Sequence, residues 1–279
     1  SDVSNAGVYA LSFDGENDRV ELNSTNIIGN RNSFTIASWV NIHENSGNAL
    51  YGEFRVWGGN SSTRNYFVVG NFGIGFDQYP PSGGVGEQNT PLANNEWYHV
   101  VYIQDGSNWW TYLNGTLDNS GQNTENYSGS SPTQALIGAR LNYSHNDFAG
   151  EIKNIAIWHN ALSANEINEI YNSLSGSNDY AQNFGNYISS NSLGAYWKFD
   201  EGSGNTLYDY SGNDYHGTIY GATWVESEVA DSDGNSCDSN DNNEFSCSDT
   251  DGDSCDDCSS GTFNTADDGN DYDGDGLCD

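Results

Sequence analysis

The sequence predicts an all-β sandwich with one short helix for residues 1–225, and an irregular segment of different chemistry for residues 226–279. Residues 1–225 contain 34 of the 37 aromatic residues, which is enough apolar area for a sizeable core. Short alternating stretches recur between Gly, Asn and Asp residues, and such spacing is typical of sandwiches. The stretches that predict strands are 8–11, 19–22, 34–42, 66–69, 97–103, 109–113, 135–137, 151–158 and 195–199.

Two local signals place a turn and a helix in this domain. Asn114-Gly115 lies between two apolar stretches and predicts a type I′ hairpin turn, in which both central residues have positive φ. Ser163 followed by Glu166 predicts a helix N-terminus with a capping box. One face of this helix would then pack on the sandwich through Leu162, Ile167, Ile170 and Tyr171. A long polar loop at 173–192 and a further β unit at 193–225 follow.

The charge distribution limits the possible partners. The chain carries 7 Lys and Arg against 40 Asp and Glu, for a net charge of −33, and residues 231–279 contain 16 of the acidic residues and no basic one. Such a polyanion repels phosphate, so nucleic acid is excluded as a partner. No stretch approaches the ~18 apolar residues that span a bilayer. The lack of Met predicts a mature chain without its signal peptide, although a fragment would look the same.

The cysteines indicate an extracellular location. All of them lie in the acidic segment: Cys237, Cys247, Cys255, Cys258 and Cys278. Clustered cysteines among few apolar residues favour disulfides formed in an oxidising compartment. Zinc at Cys255-x-x-Cys258 is the alternative, but carboxylates surround this pair and the segment contains no His.

Three loops of the acidic segment share the spacing of the first part of an EF-hand loop. They are formed by Asp271, Asp273, Asp275 and Asp279, by Asp249, Asp251, Asp253 and Asp257, and in a weaker form by Asp231, Asp233 and Asn235 with Asp241 nearby. Calcium prefers about six to eight oxygen ligands, so these loops predict calcium binding. The alternative is a solvated acidic linker that has no fold of its own.

Motifs that cover most of residues 8–225 resemble the bacterial laminin-G-like, concanavalin-type jelly roll. They are Leu11-Ser-Phe-Asp-Gly15, Phe34-Thr-Ile-Ala-Ser-Trp-Val40, Trp97-Tyr-His-Val-Val101 with Tyr112-Leu-Asn-Gly115, Phe148-Ala-Gly-Glu-Ile-Lys-Asn-Ile-Ala-Ile-Trp158, and Tyr196-Trp-Lys-Phe-Asp-Glu-Gly202 with Asp209-Tyr-Ser-Gly-Asn213. The resemblance implies this fold and says little about function. It also implies a structural calcium at Asp209 and Asn213, for which ordinary Asx turns are the alternative.

The order of the motifs departs from that family. Gly221-Ala-Thr-Trp224 follows all the other motifs, whereas in the family the corresponding unit comes first. The unit at 193–225 can therefore fold back in cis, as in a circular permutation, complete a neighbouring molecule in trans, or begin a second module that is cut short. A strand donated in trans would give a head-to-tail filament.

The acidic segment with its cysteines resembles thrombospondin type-3 calcium repeats. This resemblance implies disulfides between neighbouring repeats, such as Cys258–Cys278, with Cys237 joined to Cys247 or Cys255. One cysteine is then left over, which fits a longer natural chain or a sulfur atom from a partner chain.

Catalysis is not expected. Laminarinase-type glucanases share the jelly-roll fold and use a Glu-x-Asp-x-x-Glu strand. Here Glu151 is followed by Lys153 and Ala156 at the other two positions, and the sequence contains neither a Gly-x-Ser-x-Gly motif nor a metal-spaced His pair.

Carbohydrate binding has some support. Trp109 and Trp110 are adjacent, so in a strand they point to opposite faces and one should face outward. Tyr79 precedes two prolines in a stiff loop. Exposed aromatic side chains can stack on sugar rings, although a sandwich core also needs large aromatic residues.

The leading interpretation is a secreted, calcium-binding structural protein that self-associates into a matrix or filament, with further copies or another matrix protein as its partner. The alternative is a glycan-binding adhesion module of a larger cell-surface protein.

Overall fold

The computed structural model describes residues 9–29, 31–43, 48–57, 60–70, 73–79, 83–85, 90–122, 133–139, 147–172 and 179–226 of the 279-residue chain. The chain divides into two units, Ser1–Ser227 and Glu228–Asp279. The whole second unit lies outside the described residues. Calcium binding by the acidic loops and disulfide formation by the cysteines therefore stay predictions.

The described strands form two antiparallel sheets, which confirms the predicted all-β sandwich. In chain order the strands are β1 (Tyr9–Asp14), β2 (Arg19–Leu22), β3 (Ser33–Ile42), β4 (Asn48–Trp57), β5 (Asn60–Gly70), β6 (Gly73–Tyr79), β7 (Gly83–Val85), β8 (Trp97–Asp105), β9 (Asn108–Leu113), β10 (Thr116–Gln122), β11 (Gln134–Ile137), β12 (Ala149–Trp158), β13 (Leu193–Trp197), β14 (Thr206–Leu207), β15 (Gly217–Tyr220) and β16 (Thr223–Glu226). Sheet A has the order β10-β9-β8-β3-β12-β1-β16, with β13 also paired to β12. Sheet B has the order β14-β15-β2-β11-β4-β5-β6-β7.

The main core lies between the two sheets. One continuous cluster of buried side chains includes Phe34 and Tyr102 from sheet A and Phe76 from sheet B. Phe76 stacks on Tyr102 with ring centroids 4.7 Å apart, so large aromatic side chains fill the space between the sheets.

A helix covers part of the outer face of sheet A. The helix α1 (Ala164–Asn172) begins after Ser163, whose backbone N–H donates to Glu166 Oε2 at 2.9 Å, as the predicted capping box requires. Ile167 and Ile170 are buried against the sheet together with Trp158. No helix in the described part of the chain is long and apolar enough to cross a membrane.

The tight turn between β9 and β10 is also as predicted. Asn114 and Gly115 have φ values of 47° and 73°, the left-handed conformation that a type I′ turn needs at both positions. The side-chain oxygen of Asn114 accepts a hydrogen bond from the backbone N–H of His99 at 2.9 Å, which joins the turn to β8.

The C-terminal unit packs in cis. Strand β13 pairs with β12, β15 pairs with β2, and β16 pairs with β1. The N-terminal strand β1 therefore lies between β12 and β16, so the last strand of the domain closes over the first. In this arrangement the strand that the trans alternative would donate to a neighbour completes its own sheet, and the circular permutation stays an interpretation.

Glu166 joins the helix to the loop that follows it, and this contact predicts a pH dependence of stability. Its Oε1 accepts hydrogen bonds from Ser189 Oγ and from the backbone N–H of Ile188. Burial alone would raise the pKa of Glu166, but the hydrogen bonds from Ser189, Ser163 and Ile188 outweigh it and hold the pKa below its ordinary value of 4.5. The carboxylate therefore stabilises the fold at neutral pH, and this contribution is lost as the pH falls from about 4.5 through the lower folded-state pKa.

We expect Glu166→Gln to lower the free energy of unfolding at pH 7 and to have a smaller effect at acidic pH. Urea denaturation between pH 7 and pH 3 measures this difference. Ser189→Ala, which removes one donor to the carboxylate, should give a weaker change of the same sign. If the difference in unfolding free energy between wild type and Glu166→Gln were the same at every pH, the ionised Glu166 carboxylate would not be the stabilising group.

Candidate functional site

The exposed aromatic side chains of the described residues are concentrated in the C-terminal unit. Tyr208, Tyr220 and Tyr210 have 48%, 42% and 37% of their surface exposed. Sandwich strands normally bury such rings, so exposed rings so close together in sequence point to a surface with a function.

Two of these rings lie on the outer face of sheet B. Along β15, Gly217 and Ile219 are buried while Thr218 and Tyr220 are exposed, the alternation of a half-buried strand. Tyr208 follows β14, and its ring meets the ring of His216 edge to face at 5.3 Å.

The strand register brings polar residues beside these rings. Thr218 lies opposite Thr206 of β14 and Glu21 of β2, and Tyr220 lies opposite Arg19 of β2. We call this surface the β15 face. It consists of Arg19, Glu21, Thr206, Tyr208, His216, Thr218 and Tyr220.

Arg19 fixes one end of the β15 face. Its guanidinium carbon is 4.5 Å from the centroid of the Tyr220 ring, a cation–π distance, and its Nε donates to Glu21 Oε1 at 2.8 Å. The ion pair and the stacked cation hold the Tyr220 ring in one orientation and still leave two-fifths of its surface exposed.

His216 is held in place at the other end. Its Nδ1 accepts a hydrogen bond from the backbone N–H of Asp209 at 3.0 Å, so the neutral ring carries its hydrogen on Nε2. The backbone N–H of Tyr208 donates to Glu201 Oε1 at 2.8 Å, which fixes the chain beside His216.

The spacing of the β15 face suits an extended polar ligand. Residues 216 and 220 are four positions apart on a strand, a separation of about 13 Å. Aromatic rings at both ends can stack on the apolar faces of sugar rings, and the threonine hydroxyls, Glu21 and Arg19 between them can hydrogen-bond to sugar hydroxyls. A surface of this kind can bind two or more linked rings.

The loop proposed for a structural calcium has its own hydrogen bonds. Asp209 Oδ1 accepts from the backbone N–H groups of Tyr196 and Ser211, and Oδ2 accepts from Ser211 Oγ and the backbone N–H of Tyr215, all at 2.9 Å. Asn213 Nδ2 donates to the carbonyl of Gly194 at 3.0 Å. These are the contacts of the Asx-turn alternative, and they occupy both oxygens of Asp209.

No cluster of three or more metal-binding side chains occurs among the described residues. Calcium at Asp209 and Asn213 stays a prediction, and the hydrogen bonding of this loop does not favour it.

The aromatic residues that the sequence predicts for glycan binding lie outside the β15 face. Trp109 and Trp110 do point to opposite faces of sheet A. Trp109 is 8% exposed within the main core, and Trp110 is half-buried beside the cluster under α1. Tyr79 ends β6 opposite Arg64 of β5, and its side chain lies outside what the structure describes, so its role stays a prediction. Tyr208 and Tyr220 are not among the aromatic residues that the sequence predicts for a glycan site.

The strand compared with glucanases carries a single carboxylate. Glu151 lies opposite Asn41 of β3 and Ser12 of β1 rather than opposite a second acidic residue. Ala156 is fully buried at the position where those enzymes have another carboxylate. Glycoside hydrolysis requires a pair of carboxylates, and no acidic residue lies directly opposite Glu151 in β1 or β3.

Comparison with known proteins identifies the fold family. The family described as "Concanavalin A-like lectin/glucanases superfamily" matches residues 14–168, more than half of the chain. This range includes Arg19 and Glu21, whereas the other residues of the β15 face lie beyond it. Comparison with curated proteins finds no match.

Solved structures with a similar fold include a "putative carbohydrate binding protein" from Bacteroides ovatus, with a TM-score of 0.55 and 20% identity over 78% of this chain. The chain spans 60% of the length of that protein. The heptameric SAP-like pentraxin of Limulus polyphemus has a TM-score of 0.47 and 13% identity, covering 81% of this chain and 98% of the pentraxin. The CBM40 domain of a Ruminococcus gnavus sialidase, bound to sialyllactose, has a TM-score of 0.46 and 13% identity, covering 60% of this chain and the whole of that domain.

Proposed function

Since the chain belongs to the concanavalin A-like lectin/glucanases superfamily, we propose that it is an extracellular, non-catalytic carbohydrate-binding module that contacts its glycan through the β15 face. The observation that carries the proposal is the pair of exposed tyrosines, Tyr208 after β14 and Tyr220 in β15, with polar side chains of the paired strands beside them. The Bacteroides ovatus protein, which is described as carbohydrate-binding, supports the fold on which this proposal depends.

The geometry of the β15 face suits glycan binding better than packing against another protein. A protein interface of standard size has a hydrophobic centre that is depleted in charge. Here threonines and the Arg19–Glu21 ion pair lie beside the aromatic rings. Alternating apolar and hydrogen-bonding groups match the alternating ring faces and hydroxyls of a saccharide.

The non-catalytic part of the proposal is supported by the single carboxylate on β12. Binding modules need only stacking and hydrogen bonds, whereas glycoside hydrolysis needs two carboxylates a few ångströms apart. Glu151 has no acidic residue opposite it in β1 or β3.

Calcium binding by residues 226–279 and self-association into a matrix rest on the sequence alone, and we retain both as proposals for that segment. Carbohydrate binding by the β15 face does not depend on either.

A glycan array followed by calorimetry tests the proposal. We expect binding to at least one oligosaccharide, and we expect Tyr220→Ala and Tyr208→Ala each to raise the Kd about tenfold, equivalent to about 1.4 kcal/mol for the loss of one stacked ring. The reason is that each substitution removes one aromatic face and leaves the polar groups between the rings in place.

Tyr210→Ala is the matched control. Tyr210 has similar exposure, but its hydroxyl donates to Asp200 at 3.1 Å and its ring contacts Lys198, away from β15. It should leave the Kd within twofold of wild type. Equal affinity of wild type, Tyr220→Ala and Tyr208→Ala for the bound glycan would remove the β15 face from the proposal.

A further inference from the structure

A lysine, an asparagine and a glutamate lie close together on the outer face of sheet A. Glu151 of β12 lies opposite Asn41 of β3, and Lys153 lies opposite Trp39 two residues along the same strands. The intervening residues Ile152 and Val40 belong to the core between the sheets. Because side chains alternate along a strand, Lys153, Glu151 and Asn41 share the opposite, outer face.

The side chain of Lys153 extends towards the ring of Trp97. Its Nζ is 5.1 Å from the centroid of the Trp97 ring, and Trp97 belongs to β8, on the far side of β3 from β12. The β3 residue directly opposite Trp97 is Asn41. Diagonal neighbours on adjacent strands have Cα atoms about 7–8 Å apart, which a lysine side chain can span. Lys153 Nζ and Asn41 are therefore both neighbours of Trp97 on this face of the sheet.

The surroundings favour the neutral amine. Lys153 is 2% exposed, and burial lowers its pKa to about 7, although the nearby carboxylate of Glu151 acts in the opposite direction. A lysine with such a pKa is partly uncharged at neutral pH, and the uncharged amine is a nucleophile.

Asn41 as a whole is only half-buried, but the oxygen of its carboxamide is not accessible to solvent. Asn41 Oδ1 is buried and has no hydrogen-bond partner in the described part of the chain. The same holds for Nε1 of Trp39, which is two residues away on the same face of β3. A buried carbonyl without a partner is unusual and calls for an explanation.

We propose that Lys153 and Asn41 form an intramolecular amide bond that joins β12 to β3. The lysine Nζ attacks Cγ of Asn41, and the new C–N bond forms as the bond from Cγ to the amide nitrogen breaks. Glu151 takes a proton from the attacking nitrogen and transfers it to the departing one. The products are a secondary amide and one ammonia molecule, so no oxidant, metal or cofactor is consumed.

Such a bond would place a covalent tie between the central strands of sheet A. The two residues are far apart in the sequence, so the tie would close a long loop and restrict the unfolded chain, as a disulfide does. Unlike a disulfide, it would survive reduction.

Mass measurement of the intact, denatured and reduced protein tests the proposal, because reduction returns any disulfides to thiols. We expect the wild type to be lighter than its sequence by one ammonia, and digestion to yield one linked peptide that contains both residues 41 and 153. Asn41→Asp should instead lose one water, because the leaving group changes. Glu151→Gln should leave most of the chain uncrosslinked.

Lys153→Met is the decisive control, since it keeps an unbranched apolar side chain and removes the amine. It should have the full mass of its sequence. A succinimide formed by an asparagine also loses ammonia, but it would persist in Lys153→Met and would leave the two peptides separate. Wild type with its full sequence mass and with separate peptides for residues 41 and 153 would overturn the proposal, whether or not any variant folds.

Discussion

Gly150→Ala is expected to unfold the domain under conditions in which the wild type is folded. Gly150 lies in β12 with φ of +146°, a conformation that residues with a Cβ rarely adopt. A Cβ at this position would overlap the backbone oxygen of Asn41 in the neighbouring strand. β3 and β12 are paired at residues 42 and 150, between other strands of sheet A, so neither can move aside.

We expect a loss of more than about 4 kcal/mol in the free energy of unfolding, which is exceptional for a single methyl group. Urea denaturation followed by tryptophan fluorescence measures it. Gly106→Ala is the matched control, because Gly106 also has positive φ, at +61°, but has no atom within 4 Å of its added Cβ. Gly106→Ala should lower the free energy of unfolding by only ~1–2 kcal/mol, the usual cost of a left-handed backbone conformation for a residue with a Cβ. If both variants lost a similar amount of unfolding free energy, the close approach of β12 to β3 at Gly150 would be contradicted.

Trp197→Ala is expected to have the second-largest effect, a loss of about 3–5 kcal/mol. The side chain is fully buried in the main core, and its Nε1 donates to the backbone carbonyl of Tyr215 at 2.8 Å. Its backbone also forms a bridge with Asp209. The ring therefore joins β13 to the segment that leads into β15.

The same variant tests whether the C-terminal unit packs in cis. If it does, Trp197→Ala destabilises each molecule by itself, and the unfolding midpoints of wild type and variant do not change with protein concentration. Trp110→Ala, on a half-buried ring outside the main core, should cost less and serves as the control. An unfolding midpoint that rises with concentration, or a Trp197→Ala variant as stable as wild type, would contradict the cis arrangement.

Local signals in the sequence were sufficient for the turn and the helix. Asn114-Gly115 has the residue types that a type I′ turn needs, and Ser163 with Glu166 satisfies a helix N-terminus within four residues. These predictions succeeded because the stabilising contacts lie within a few positions along the chain.

Local sequence signals could not decide whether the C-terminal unit packs in cis or in trans. Its pairing with β1 and β2 joins the two ends of the domain, and cis and trans pairing would use the same residues and the same register. Only the completed sheets show that β16 lies beside β1 of the same molecule.

The β15 face was missed for a related reason. Tyr220 alternates with buried Ile219, a pattern that can be read from the sequence, but its partner Arg19 is supplied by β2 at the other end of the domain. Tyr208 is exposed because it follows a very short edge strand. The adjacent tryptophans are the more conspicuous pattern in the sequence, but a sandwich core needs large rings, and Trp109 fills part of that core.

The most direct test of carbohydrate binding on the β15 face is an NMR titration of the isotope-labelled protein with the oligosaccharide that binds tightest on the array. We predict that the largest shifts of backbone amide signals occur at residues 19–21, 206–208 and 216–220, and that Tyr220→Ala abolishes them at the same ligand concentration. Saturable shifts confined to the helix-bearing face of sheet A, with the signals of β15 unchanged, would contradict the proposed site.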